Sequence, residues 1–172
     1  MCNKRFQVNS YLSVKLEESE THIYIQDTRF SGHISLILNI LVNDTDEIEG
    51  KNIIDEMEDL YFSSSEIDFL PLIFHKEFSI SPWEEFWGHC SNLQVWAEHD
   101  YNTDLLASTV SFPLLKELYI RGDPQAQKIL KKEIVKKFLN GTFGTKVFLI
   151  EHNFIDFLSE EERKEIFTSH SS

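Results

Sequence analysis

The chain has 172 residues, of which 29 are Asp or Glu and 16 are Lys or Arg, so its formal net charge is -13. This length predicts a single domain over residues 1–172 that buries a core without disulfides or structural metals. So acidic a chain repels the nucleic-acid backbone and anionic lipid, and we therefore expect neither nucleic acid nor membrane among its partners.

The N-terminal part, residues 6–42, has the pattern of β-structure. Polar and apolar residues alternate partly over 6–16, which predicts a first strand. A polar turn leads to a second strand over 22–26, with Ile23 and Ile25 on one side. Residues 35–42 are rich in Ile, Leu and Val and predict a buried third strand, although periodicity alone does not distinguish it from a helix. The expected arrangement is an antiparallel hairpin or meander.

The middle of the chain carries weaker signals. Apolar residues between Ile53 and Leu60 fall at helical spacing and predict a short amphipathic helix over 51–61. Residues 62–80 have no clear period and contain Pro71, but they are too apolar for a plain linker. We expect an ordered loop or an extended piece that lies across the core.

The clearest helix start in the sequence lies at Ser81. Ser81 can cap a helix, Pro82 suits its first position, and Glu84 can complete a capping box. The pattern predicts a helix over 82–99 that holds all three tryptophans and around which the domain packs. Its predicted core face follows steps of three and four residues and consists of Trp83, Phe86, Trp87, Cys90, Leu93 and Ala97.

The following residues predict two further helices. Thr103 can cap a helix at about 104–121, which Pro113 could kink or split. Asp123 and Pro124 start the next helix, and Gly141 ends it. The core stripe of this second helix is Ala126, Leu130, Ile134 and Phe138.

The C-terminal end completes a helical part over 81–168. A short helix is expected over 145–152, and Ser159 with Glu162 repeats the capping box before a last turn or two. The predicted fold class is α+β: an N-terminal antiparallel β-hairpin or meander packed on a C-terminal bundle of short helices. The segment GDPQAQ and the helix after it suggest a HEAT-like helical hairpin, but no fixed-period repeat predicts an array.

His89 and Cys90 are the obvious candidates for chemistry. Glu85 and His89 could chelate together at i and i+4, but two ligands are too few for a metal site, and His99 lies about 15 Å from His89 along a straight helix. We therefore predict no metal and no cofactor. Cys90, a candidate reactive thiol, lies on the apolar face, where a cysteine usually behaves as a small buried hydrophobe. With few cysteines and no signal peptide, a reducing, cytoplasmic setting is expected.

The polar face of the same helix is a candidate binding face. Its residues follow one another at steps of three and four and are Glu85, His89, Asn92, Trp96 and His99. They are of types that prefer fixed hydrogen bonds or stacking to free solvation. Either the helix is buried on most sides and these are satisfied core groups, or the face binds a partner. Burial is the preferred interpretation, because a helix with three tryptophans normally lies centrally.

A lysine cluster marks the helix that begins at Pro124. Lysines of this kind usually form a solvated helix face, but they could dock an acidic partner, including the acidic half of a second copy in a homodimer. The candidate partner-docking lysines are Lys128, Lys131, Lys132 and Lys136.

Residues 86–120, FWGHCSNLQVWAEHDYNTDLLASTVSFPLLKELYI, resemble a domain family of uncharacterised archaeal proteins, several of which carry leucine-rich repeats further along the chain. The resemblance extends to YLSVKLEESETHIYI, to GDPQAQKILKKEIVKKF and to FLIEHNFIDFLSEEE, and WGHCSNLQVW is its most specific part. Residues 44–80 depart from it. The resemblance implies an intracellular archaeal protein in an interaction or regulatory setting and names no catalytic residue.

These observations favour a non-enzymatic protein-interaction or adaptor module, whose partner protein the sequence does not name. The alternative is a hydrolase-type enzyme or a metal-binding protein that uses the region of His89 and Cys90 with Glu85 or His99. The enzyme alternative requires Cys90 to be exposed and its pKa to be low. A nucleic-acid role for the lysine helix is disfavoured by the net charge.

Overall fold

The computed structural model describes residues 4–32 and 80–168. These residues belong to two compact units, one formed by 4–32 with 80–127 and the other by 128–168. The predicted strand over 35–42, the predicted helix over 51–61 and all but the last residue of 62–80 lie outside the described residues. Within them, an antiparallel sheet precedes a set of helices, which confirms the predicted α+β class.

The sheet has four described strands in the order β1-β2-β3-β4, each antiparallel to its neighbour. They are β1 (Lys4–Gln7), β2 (Leu12–Glu17), β3 (Glu20–Ile25) and β4 (Thr28–Arg29). The prediction of one strand over 6–16 is wrong, because the chain turns between β1 and β2. The predicted second strand is confirmed as β3.

The turn between β1 and β2 is made by an asparagine side chain. The Oδ1 atom of Asn9 accepts hydrogen bonds from the backbone N–H of Tyr11, at 2.9 Å, and of Leu12, at 2.8 Å. An asparagine that bonds the backbone two residues on mimics a backbone turn. The alternation of the sequence on both sides of Asn9 hides this reversal.

A helix that we call α1 (Pro82–Glu98) packs on β2 and β3. Its predicted capping box is confirmed: the backbone N–H of Glu84 donates to the Ser81 hydroxyl, and the backbone N–H of Ser81 donates to the Glu84 carboxylate. On the sheet, the side chains of Leu12, Val14 and Ile23 form the buried side.

The buried face of α1 differs from the predicted one. Phe86, Cys90 and Leu93 are buried as predicted, but Trp83 and Trp87 are 43% and 42% exposed. The residues buried in their place are His89 and Trp96. The aromatic residues of this helix lie on more than one of its sides, so its sequence does not determine which side packs inward. Contact with the sheet determines that rotation.

The second helix, α2 (Ser108–Ile120), begins later than predicted. Ala107 precedes it without a side-chain cap, and Thr103, the predicted cap, is fully buried. The helix continues through Pro113 and is not split. Pro113 lies inside the helix, where its missing N–H removes one intrahelical hydrogen bond.

Three further helices and a 3-10 turn complete the described chain: α3 (Pro124–Asn140), α4 (Phe143–Glu151), the 3-10 turn (Phe154–Phe157) and α5 (Glu160–Thr168). The start of α3 is confirmed, because the Asp123 Oδ1 atom accepts from the backbone N–H of Gln125 and of Ala126. The predicted core stripe of α3 is buried in full. Of the described helices, none is long and apolar enough to cross a membrane.

Candidate functional site

The structure does not bring the five residues of the predicted binding face together on one exposed surface. His89 is 5% exposed and Trp96 is fully buried, so neither is accessible to a partner. Glu85 and Asn92 are half-buried, and His99 is exposed at the C-terminal end of α1. The face is therefore partly core and partly surface.

His89 is a buried histidine with a carboxylate neighbour. Its Nε2 atom lies 3.7 Å from the Oε1 atom of Glu85, one helical turn earlier. Burial lowers the pKa of His89 from its ordinary value of 6.5, and the Glu85 carboxylate opposes this only in part. The neutral imidazole is thus the form that the fold favours.

Cys90 does not have the environment of a nucleophile. It is 1% exposed, and burial raises the pKa of its thiol to about 12. A catalytic cysteine needs an accessible site that lowers its pKa. The described residues also contain no group of three or more His, Cys, Asp or Glu side chains arranged to hold a metal ion.

An open polar cleft of about 870 Å³ lies beside the sheet, and Glu85 is the member of the predicted binding face that lines it. His22 and Arg29 border the same cleft, and the Nε2 atom of His22 lies 3.6 Å from the Glu20 carboxylate. The side chains that line this open cleft include both acidic and basic groups. This lining gives the cleft no preference for one charge of ligand.

The predicted docking lysines differ in their surroundings. Lys128, Lys131 and Lys132 are exposed, whereas Lys136 is half-buried. The ammonium of Lys131 lies 3.5 Å from Glu162, and that of Lys136 lies 2.6 Å from Glu133. Half of the cluster is therefore close to carboxylates of its own unit, which weakens its attraction for an acidic partner.

A cluster of exposed aromatic side chains lies on the first turns of α1. We call it the aromatic surface and define it as Phe6, Trp83 and Trp87. The Trp87 ring makes T-shaped contacts with both other rings. Its centroid lies 5.7 Å from that of Trp83 and 5.9 Å from that of Phe6. The Lys4 ammonium lies 5.7 Å from the Trp83 ring centroid. Two contacting tryptophans thus leave more than two fifths of their area in solvent.

Sequence reasoning missed this surface because the two tryptophans fit the spacing of a core face. A signal was nevertheless present. Trp83 and Trp87 lie in the first two turns of α1, on either side of the acidic residues Glu84 and Glu85, whereas Trp96 lies in the last turn. Acidic residues are favoured in the N-terminal turn of a helix, and these two tryptophans lie at that end of α1.

A buried polar chain of hydrogen bonds was also missed. The Tyr101 hydroxyl donates to the Asp123 carboxylate at 2.7 Å and accepts from the Asn9 side-chain amide at 2.7 Å. Asp123 in turn caps α3. The Tyr101 ring packs on Trp96 with centroids 4.6 Å apart. This chain joins the β1–β2 turn to the start of α3 and has a structural role.

No family model, no curated protein and no solved structure matches this chain. The resemblance to the archaeal domain family therefore stays a hypothesis. Function has to be argued from the chemistry of the surfaces themselves.

Proposed function

We propose that this chain is a non-enzymatic protein-interaction module that docks a partner protein on its aromatic surface. The observation that carries the proposal is the pair of exposed, contacting tryptophans, Trp83 and Trp87. Tryptophan is among the residues that most often dominate the binding energy of protein interfaces. Its large ring buries much area on docking and loses little conformational entropy.

The position of the two tryptophans supports the proposal. They are held by α1, whose start is fixed by the capping box at Ser81, and Trp87 is braced by Phe86 as well as by Phe6. Aromatic anchors on a rigid element lose less freedom when a partner binds. The burial of Cys90, in contrast, leaves the hydrolase alternative without the exposed thiol that it requires, and His89 beside it is buried as well.

A displayed library of random peptides tests the proposal even while the natural partner is unidentified. Peptides selected on the wild-type protein should lose about tenfold or more in affinity for Trp87→Ala, as expected for a hot-spot residue. Val95→Ala is the matched control, since Val95 is also 42% exposed on α1 but lies outside the aromatic surface.

Equal loss of affinity in the Trp87→Ala and Val95→Ala proteins would contradict the proposal. So would a library that yields no binder sensitive to Trp87→Ala. Thermal melts of both variants establish that each is folded before affinities are compared.

A further inference from the structure

The strand beside the aromatic surface has no neighbour on its outer edge among the described residues. β1 (Lys4–Gln7) is the outermost strand on its side of the described sheet. The Val8 N–H donates to the Leu12 carbonyl across the β1–β2 pair at 3.0 Å. Because alternate residues of an antiparallel strand bond to opposite sides, Arg5 and Gln7 direct their backbone N–H and C=O groups away from β2. Such an edge is a template for another strand.

The two faces of β1 differ in chemistry. Phe6 lies on the face that meets α1 and contacts Trp87. Arg5 lies on the opposite face, where its cross-strand neighbour is Lys15. Within the described residues, Arg5 is exposed and has no carboxylate at ion-pairing distance. One face beside the edge is therefore aromatic, with the Lys4 ammonium near the Trp83 ring. The other carries Arg5 and Lys15, of which Lys15 lies 3.9 Å from the Glu17 carboxylate.

We infer that the partner supplies an extended segment with alternating apolar and acidic side chains, which adds as a strand to β1. This inference rests on the proposed function, because the aromatic surface forms one wall of the site. Successive side chains of a strand point to opposite faces. The apolar residues of the added segment would pack on Phe6 and Trp87, and its acidic residues would lie beside Arg5, where opposite charges attract.

The shortness of the β1 edge explains why side-chain contacts on both faces of the strand are needed. Arg5 and Gln7 together offer two N–H donors and two C=O acceptors, and each net hydrogen bond contributes little in water. Backbone pairing alone therefore orients the segment, while the side-chain contacts supply affinity and selectivity. A helical partner would use the aromatic surface but would leave the edge of β1 unpaired.

Synthetic peptides test the inference directly. The probe is a labelled peptide that alternates valine and glutamate. One control alternates valine and lysine, and a second has the composition of the probe arranged in two blocks, which abolishes the alternation. In fluorescence anisotropy the wild-type protein should bind the probe about tenfold or more tightly than either control.

Charge reversal provides the decisive variant. Arg5→Glu should invert the preference, so that the valine–lysine peptide binds better than the probe, and Arg5→Gln should abolish the preference. Arg29→Glu is the matched control, since Arg29 is an exposed arginine on β4, at the opposite edge of the same sheet. It should leave the preference unchanged. Backbone hydrogen exchange should slow at Arg5 and Gln7 when the probe binds.

Each other outcome overturns the inference in a recognisable way. Binders that require Trp87 but ignore Arg5→Glu and leave the β1 amides unprotected would retain the docking surface and refute strand addition. A concentration-dependent dimer that Trp87→Ala dissociates would identify a second copy of this chain as the occupant. If Trp87→Ala has no effect on any binder, the proposed function itself fails.

Discussion

At the scale of single residues, the position of His89 decides between the two interpretations of the polar face of α1. Its burial and its contact with Glu85 make it a core group that is paired with a carboxylate. Removing a buried polar group that packs and pairs typically costs about 1–3 kcal/mol. His99, which follows the last residue of the same helix, is exposed, so its removal should cost little.

We therefore expect His89→Ala to lower the free energy of unfolding by about 1–3 kcal/mol, measured by urea denaturation. His99→Ala is the matched control and should change it by no more than about 0.5 kcal/mol. If the two variants are equally stable, His89 contributes nothing to the core.

The pH dependence of stability tests the protonation state of His89. Burial lowers its pKa in the folded protein below 6.5, so below pH 6.5 the unfolded chain binds the proton more readily than the folded one. The free energy of unfolding should then decrease as the pH falls from about 7 to about 5. The His89→Gln variant should show a shallower decrease, and parallel profiles would contradict a depressed pKa.

Tyr101 makes a second buried polar contribution. Its hydroxyl lies between Asn9 and Asp123, so Tyr101→Phe leaves both partners with one hydrogen bond fewer. We expect a loss of about 1–2 kcal/mol in the free energy of unfolding. Tyr24→Phe is the control, because the Tyr24 hydroxyl bonds Glu17 near the surface and should cost less than about 0.5 kcal/mol. Equal losses of unfolding free energy in the two variants would mean that burial of the Tyr101 hydrogen bonds adds nothing to stability.

At the scale of elements, the β2–β3 hairpin contains a local conflict. Its two-residue turn, Glu18 and Ser19, has φ values of 52° and 70°. Positive φ at both positions is the type I′ geometry, for which asparagine followed by glycine is preferred. A residue other than glycine in this region costs about 1 kcal/mol. The hairpin forms because the pairing of β2 and β3 outweighs that cost.

Replacing both turn residues, Glu18→Asn with Ser19→Gly, should therefore raise the free energy of unfolding by about 1 kcal/mol. Asp27→Gly is the control, since Asp27 lies in the β3–β4 turn without a positive φ and a glycine there adds only flexibility to the unfolded chain. A double variant that is no more stable than the wild type would show that the turn is not strained.

At the scale of the whole molecule, net charge opposes folding. A formal charge of -13 on 172 residues brings like charges together when the chain becomes compact. Salt shortens the range of this repulsion to about 8 Å at physiological ionic strength. An exposed ion pair such as that of Lys131 with Glu162 contributes too little to reverse the trend.

Added sodium chloride should accordingly raise the melting temperature between low and physiological salt. The same range of salt should leave a variant with several exposed glutamates replaced by glutamine less affected, because less repulsion remains to be screened. A melting temperature that falls with salt would mean that attractive ion pairs dominate.

The sequence by itself determined what depends on neighbours along the chain. The caps at Ser81, Asp123 and Ser159 were predictable because each satisfies backbone groups within three residues of itself. The core stripe of α3 was predictable because its apolar residues repeat on one side only. The α+β class followed from the change of period between the two parts of the chain.

Only the tertiary structure decided which way α1 faces and what lies beside it. The spacing of Trp83 and Trp87 is equally compatible with burial and with exposure, and packing on the sheet leaves them in solvent. The hydrogen bond from Asn9 to Tyr101 joins residues 92 positions apart, a separation that no local pattern encodes. The aromatic surface likewise exists only because folding places Phe6 of β1 beside Trp87 of α1.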